Sequence, residues 1–127
     1  METSVNNKCR AFTSLEQSKK LAEFLPLESA DMVYVHTVDL EGDEHYDIDF
    51  CNNQPLFEDD ICAWSLAALF SVLPDECECM ALEHINYGNN HKKYFMHYIG
   101  GENTEDYDNP VDACVAMIEK LNELKML

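Results

Sequence analysis

Cys77-Glu78-Cys79, followed by His84, His91 and His97, brings two thiols and three imidazoles into a short span. Soft thiolate and imidazole donors of this kind suit zinc. A single residue between the cysteines is tighter than zinc sites normally use, and no second pair follows. Ordinary thiols and surface histidines account for the same residues. Asp47-Ile48-Asp49 is a second arrangement with chemical capacity, since strand-borne carboxylates at this spacing can hold a divalent cation. Asp39, Glu41, Asp43 and Glu44 stand close by in sequence. The pattern is not that of a calcium loop, which needs alternating acids, a central glycine and a distal glutamate. The solvated face of an amphipathic strand explains these acids equally.

Covalent catalysis has less to draw on. A thiol nucleophile needs an adjacent base, and no spacing pairs a cysteine with a histidine. Ser65 follows Trp64 without the Gly-x-Ser-x-Gly setting of a nucleophile elbow. With four glycines in the chain there is no glycine-rich phosphate cradle. No catalytic, metal-ligating or cofactor-binding residue is assigned.

The charge is more informative. The chain of 127 residues carries 25 Asp+Glu against 8 Lys+Arg, a formal net charge of -17. No lysine or arginine occurs between Lys20 and Lys92. Such a surface repels nucleic acid and anionic membranes and attracts cations and basic protein surfaces. The acids are interleaved with Tyr, Phe, Ile and Leu, and 46% of residues are hydrophobic, which favours a folded domain over a disordered acidic tail.

The elements that must position these residues follow from periodicity and punctuation. Residues 1–12 lack a period and are expected to form a flexible arm ahead of a single domain over 13–127. Thr13-Ser14-Leu15-Glu16 matches a capping box, with Thr13 as N-cap and Glu16 reaching back. The helix it opens closes at Pro26. Residues 32–40 are extended, 41–44 turn, and 45–51 alternate, which predicts Tyr46, Ile48 and Phe50 inward and Asp47 and Asp49 outward. Residues 61–73 are almost continuously apolar and read as the most buried helix, with Glu58, Asp59 and Asp60 at its N-terminus. Residues 77–87 and 92–99 form a second hairpin around Gly88-Asn89-Asn90. An acidic loop follows over 102–108. Asn109-Pro110 then starts a last helix with an apolar stripe of Val111, Cys114, Val115, Met117, Ile118, Leu121 and Leu124.

The expected fold is α+β: helix–hairpin–helix–hairpin–helix, with one antiparallel sheet of about four strands and helices packed on it in two layers. Leu25-Pro26 and Leu73-Pro74 close both early helices ahead of acids and a hairpin. That echo reads either as two α-β-β units or as a common way to end a helix.

Three segments also carry a resemblance. They are Ser14-Leu15-Glu16-Gln17-Ser18-Lys19-Lys20-Leu21-Ala22-Glu23, Trp64-Ser65-Leu66-Ala67-Ala68-Leu69 with Val72-Leu73-Pro74, and Asp108-Asn109-Pro110-Val111-Asp112-Ala113-Cys114. The chain resembles a family of short uncharacterised proteins from gut Bacteroides-type bacteria, their phages and mobile elements. The resemblance touches all three expected helices. It implies a bacterial or phage origin and a cytoplasmic location, and it transfers no functional residue.

The functional expectation is a small, non-enzymatic protein-binding module without a cofactor. Its acidic surface would comprise Asp39, Glu41, Asp43, Glu44, Asp47, Asp49, Glu102, Glu105 and Asp106, facing a basic protein partner. Nucleic acid and membrane are not expected partners. The large side chains of the second hairpin (Tyr94, Phe95, Met96, Tyr98) leave room for a homodimer. The rival reading is a small metal- or thiol-dependent enzyme using the Cys, His and Asp side chains.

The N-terminal stretch Met1-Glu2-Thr3-Ser4 has no charged start followed by an apolar run, so a secretory leader is not expected. The six cysteines then read as reduced thiols. Unfolding without reductant should leave all six reactive toward a thiol reagent, counted by mass spectrometry. A mass short by whole disulfides would reverse the compartment.

Overall fold

Ser14, one residue later than the capping pattern suggested, starts the first helix. The computed structural model describes residues 11–51, 59–73, 80–86, 88, 92–98 and 104–125. In it the Ser14 side chain accepts from the Gln17 amide, and the Gln17 side chain accepts from the Ser14 amide. The reciprocal box is therefore Ser14/Gln17, not Thr13/Glu16, because Thr13 is drawn into the interior. Helix α1 spans Leu15–Leu21 and places Leu21 at 0% exposure. After a turn and a single 3-10 turn at Leu27–Ser29, strand β1 runs Met32–Val38 and β2 runs Glu44–Phe50. They pair antiparallel, with Val35 opposite Asp47 and Tyr34 opposite Ile48.

The alternation in β2 is partly as expected. Tyr46 and Ile48 are half-buried, and Asp47 and Asp49 are exposed. Phe50, expected in the core, is 66% exposed. It ends the ladder opposite Met32, with Cys51 the last described residue before position 59.

The expected helix over 61–73 is two elements. Ile61–Ala63 is a strand, β3, and helix α2 covers only Leu66–Ser71. A short, wholly apolar run has no period to separate strand from helix. The decision falls to Ser65, whose side chain accepts from the Ala68 amide and so caps α2. Asp59 and Asp60 accordingly precede a strand, while Glu58 lies outside the described residues. Leu69 and Ala68 are buried, but Phe70 is 39% exposed, so α2 is not the most buried helix.

That place belongs to α3, Pro110–Glu123, which starts as expected at Asn109. It buries Val111, Ala113, Cys114, Val115, Met117, Ile118 and Leu121. Leu124 falls past the helix end and is 60% exposed. Strands β4 (Met80–Asn86) and β5 (Lys92–Tyr98) lie beside α3, with Met96 at 0% exposure. Leu21, Leu25, Trp64, Leu69 and Met96 close the core around this helix.

The architecture is thus α+β with antiparallel pairing, but the single four-stranded sheet is replaced by two sheets. One has the order β2-β1-β3 and the other is β4-β5. The second edge of β1 is occupied by β3, so it is not open to the second hairpin. On β5, Tyr94 is bridged instead to Tyr107. Among the described residues no helix is long and apolar enough to cross a membrane.

The two halves repeat. Strands β1 and β2 map onto β4 and β5 at a constant offset of 48, with the same register: Met32 faces Phe50 as Met80 faces Tyr98. Over 21–50 against 69–98, seven of thirty residues are identical: Leu21/Leu69, Leu25/Leu73, Pro26/Pro74, Glu28/Glu76, Met32/Met80, His36/His84 and Tyr46/Tyr94. The helix caps Ser14 and Ser65 are 51 apart, so the first helical segment is longer by three residues, close to one turn. Helix α1 ends at Leu21 and α2 at Ser71, so Leu25-Pro26 does not close the first helix, and Pro74 lies outside the described residues; the Leu-Pro echo is one part of the sequence match between the two α-β-β segments.

Leu69→Ala and Ile118→Ala should each destabilise the fold by roughly 2–5 kcal/mol, as deletions in a closed core do. Phe70→Ala should cost clearly less, about 1 kcal/mol, because this side chain is partly in solvent already. Denaturant melts measure all three, and an equal cost at positions 69 and 70 would misplace α2.

Candidate functional site

The β1–β2 turn is organised by one carboxylate. Asp39 Oδ1 accepts from the amides of Glu41 and Asp43, at 2.9 Å in each case. Its own amide donates to the Asp43 carbonyl at 3.0 Å. Gly42 sits at φ +87, where a Cβ would be strained. With the backbone satisfied locally, the acids are left at the surface. Asp39, Glu41 and Asp43 are all exposed, and each offers an oxygen within 4.8 Å of the others. This anionic tip can attract a hard cation or receive the ammonium or guanidinium group of a basic surface.

The register spreads the other strand acids over two faces. Asp47 and Asp49 stand opposite Val35 and Val33, on the face that also holds His45. The His45 Nε2 lies 3.7 Å from Asp47 Oδ2. Glu44 is on the other face, with Tyr46, Ile48 and His36. There His36 Nε2 is 2.8 Å from Glu44 Oε1, and its Nδ1 is 3.8 Å from Asp59 Oδ2. The sequence reading missed this imidazole between two carboxylates, because Asp59 is 23 positions from His36 in the chain and no local motif announces it. The six hairpin acids are brought together on one ribbon, at its tip and both faces.

The remaining expected acids are elsewhere. Glu105 and Asp106 are exposed in the segment next to β5, where the Thr104 amide donates to the Met96 carbonyl. They accompany the second sheet, not the first. Glu102 lies outside the described residues.

Beside Tyr107 an open groove of about 400 Å³ runs between α1 and α3. Gln17 Nε2 donates to Asp112 Oδ1 at 2.7 Å and Lys20 Nζ pairs with Glu119 at 3.1 Å across the same region. Burial pushes the Tyr107 hydroxyl pKa up, and the negative charges of Glu105, Glu119 and Asp112 add to it. These residues come from opposite ends of the chain, so spacing alone could not join them. Its charged lining is Glu16, Asp112 and Glu119 with Lys20, which pairs with Glu119, so the groove holds one cation, whereas the hairpin holds six acids and no lysine or arginine.

Cys77, Cys79 and His91 lie outside the described residues. His84 and His97 are on opposite faces of β4–β5, since His84 pairs with Tyr94 and His97 with Ala81. Each described thiol is shifted away from the reactive thiolate. Burial raises Cys51, with Asp31 adding to it, and burial raises Cys62. Burial alone pushes Cys114 up to about 12.

Cys114 makes the fold pH-sensitive in a defined window. Its ordinary value is 9.0, and the folded value is about 12. Below the lower figure both states keep the proton, and between the two the unfolded chain loses it first, so stability falls as pH rises. The stability advantage of wild type over Cys114→Ala should therefore shrink from about pH 8 to about pH 11, measured by urea denaturation. A constant gap across that range would show that the thiol is not held neutral by burial.

Set beside known proteins, the chain matches no family model, no curated protein and no solved structure, so the site's own geometry is what speaks for its function.

Proposed function

We propose that this protein is a non-catalytic binding module that captures a basic protein through the acidic β1–β2 hairpin. One observation supports this above the rest. Asp39, Glu41, Asp43, Glu44, Asp47 and Asp49 are all exposed on a ribbon that lies within a stretch, 21–91, without lysine or arginine. The imidazoles beside them are His36, 2.8 Å from Glu44, and His45, 3.7 Å from Asp47. A patch of one sign attracts an oppositely charged partner over a Debye length, about 8 Å at physiological ionic strength.

In a bacterial or phage setting, which the resemblance of the helices implies, a nucleic-acid-binding protein presents a basic surface of the right kind. The carboxylates would then occupy the positions that phosphates otherwise take. The same charge disfavours direct binding to DNA, RNA or anionic lipid.

The test begins with a photo-crosslinking residue at position 41, used in the native host to identify the captured protein. Association of that protein with the purified chain is then followed by stopped flow. The on-rate should fall steeply with salt and by about tenfold or more in Asp47→Lys/Asp49→Lys, with the melting curve little changed. An on-rate indifferent to both salt and charge reversal, or tight binding to duplex DNA at physiological salt, would defeat the proposal.

A further inference from the structure

The repeat makes the two hairpins comparable residue by residue, and their corresponding faces have different surroundings. In the second unit, Leu82 and Tyr94 pack against the core and Met96 is fully buried. Helix α3 covers them, and the Cys114 thiol lies 3.7 Å from Met96 Sδ. At the offset of 48, these positions correspond to Tyr34, Tyr46 and Ile48 in the first unit. The correspondence extends to side-chain contacts. His36 and Tyr46 are cross-strand partners with ring centroids 5.2 Å apart, and His84 and Tyr94 are their equivalents at 6.1 Å.

No described helix is laid across β1–β2 as α3 is across β5; the ribbon makes its main contacts with β3. Tyr34 is tied down at the inner end, where its hydroxyl donates to the Thr13 carbonyl at 2.7 Å. The face is exposed at its two ends, at Phe50 opposite Met32 and at Val38 beside the tip, and partly covered between them. Phe50 is 66% exposed and Val38 59%, with half-buried Tyr46, Ile48 and His36 between them. The rim is acidic, with the Glu44 and Asp59 side chains 71% and 74% exposed.

We propose that this face of the β1–β2 hairpin, centred on Tyr46 and Ile48, is the docking surface for an amphipathic helix of the partner, with lysine or arginine flanking its apolar stripe. The proposal rests on the basic-partner reading above and names the element that the partner supplies. A helix is the occupant because the equivalent face in the same chain already takes one, whose Val111, Cys114, Val115 and Ile118 form the apolar side. Basic flanks follow from the rim, since an acidic helix would meet Glu44, Asp59 and the tip acids. A second copy of this chain is disfavoured on the same ground: it would bring two surfaces of a -17 protein together. The helix-in-groove mode contributes area through its apolar anchors and direction through its charges.

A synthetic peptide of the length of α3 serves as probe, with leucines at helical spacing and lysines on both flanks. A second peptide of identical composition has its leucines scrambled off the stripe. Amide shifts in labelled full-length protein report where each binds. The striped peptide should perturb His36, Val38, Tyr46, Ile48 and Phe50 and bind about tenfold or more tighter than the scrambled one. Val38→Asp and Phe50→Asp, both at exposed positions, should each weaken the striped peptide at least about tenfold while leaving the scrambled peptide unchanged. Equal affinity for both peptides, shifts confined to another surface, or a homodimer by sedimentation that covers this face would overturn the docking proposal. Should Asp47→Lys/Asp49→Lys slow the native partner while Val38→Asp and Phe50→Asp do not, the basic-partner reading stands and the helix site falls. Insensitivity of the native partner to all four substitutions removes both.

Discussion

The exchange between Thr13 and Trp64 is the constraint on which the rest of the structure depends. Thr13 is fully buried, and its amide donates to the Trp64 carbonyl at 2.9 Å. Its hydroxyl oxygen accepts from the Trp64 amide at 3.1 Å and lies 2.7 Å from the Ser18 hydroxyl. Its carbonyl takes the Tyr34 hydroxyl. The Leu66 amide donates to the Ala11 carbonyl at 3.1 Å beside it, so two extended segments cross where both helices begin. Buried polar groups must be paired, and here the pairing is complete enough to hold a threonine, a serine and a tryptophan together in the interior. The Trp64 indole is satisfied at its other end, donating to Ser29 Oγ at 2.9 Å. Caps Ser14 and Ser65 are the next residues along each segment, so this one junction sets the start of α1 and of α2 together.

From that junction the two α-β-β units diverge in use. The second gives its hairpin to α3 and joins the core. The first adds β3 to its edge and leaves the outer hairpin to solvent. Substitution at equivalent positions follows this difference. Met96, under α3, corresponds to Ile48; Phe95, half-buried, corresponds to the exposed Asp47. The covered hairpin thereby contributes to the closed core and the other carries the charged surface, which lets the two coexist in one chain.

The acids themselves are sorted by their partners. Asp31 accepts from the Ser65 amide at 2.9 Å and from its hydroxyl, Asp39 accepts two amides of its own turn, and Asp112 ties α3 to Gln17 and Asn109. These carboxylates hold backbone and helix ends in place. Glu41, Asp43, Asp47 and Asp49 remain on the hairpin surface. Nothing in residue type separates one set from the other.

Much was legible from the chain alone, wherever local geometry decides. Asn109-Pro110 had to start a helix, because the amide side chain caps and the ring fixes the first φ. The alternation of Tyr46, Asp47, Ile48 and Asp49 had to sort into two faces, since a strand offers no other arrangement. The acid excess and its lysine-free span required no folding at all to read. The tertiary structure decided what local signals leave degenerate. An apolar run such as 61–73 has no period, so pairing of Ile61–Ala63 with β1 and capping by Ser65 divided it. Thr13 and Ser14 are both good caps, and burial of Thr13 against Trp64 gave the role to Ser14. The sheet split because an edge can be filled once, and β3 filled it. Which of two matching hairpins is covered by a helix was likewise beyond local reach, because a strand's pattern states that one face is apolar and not what will lie on it.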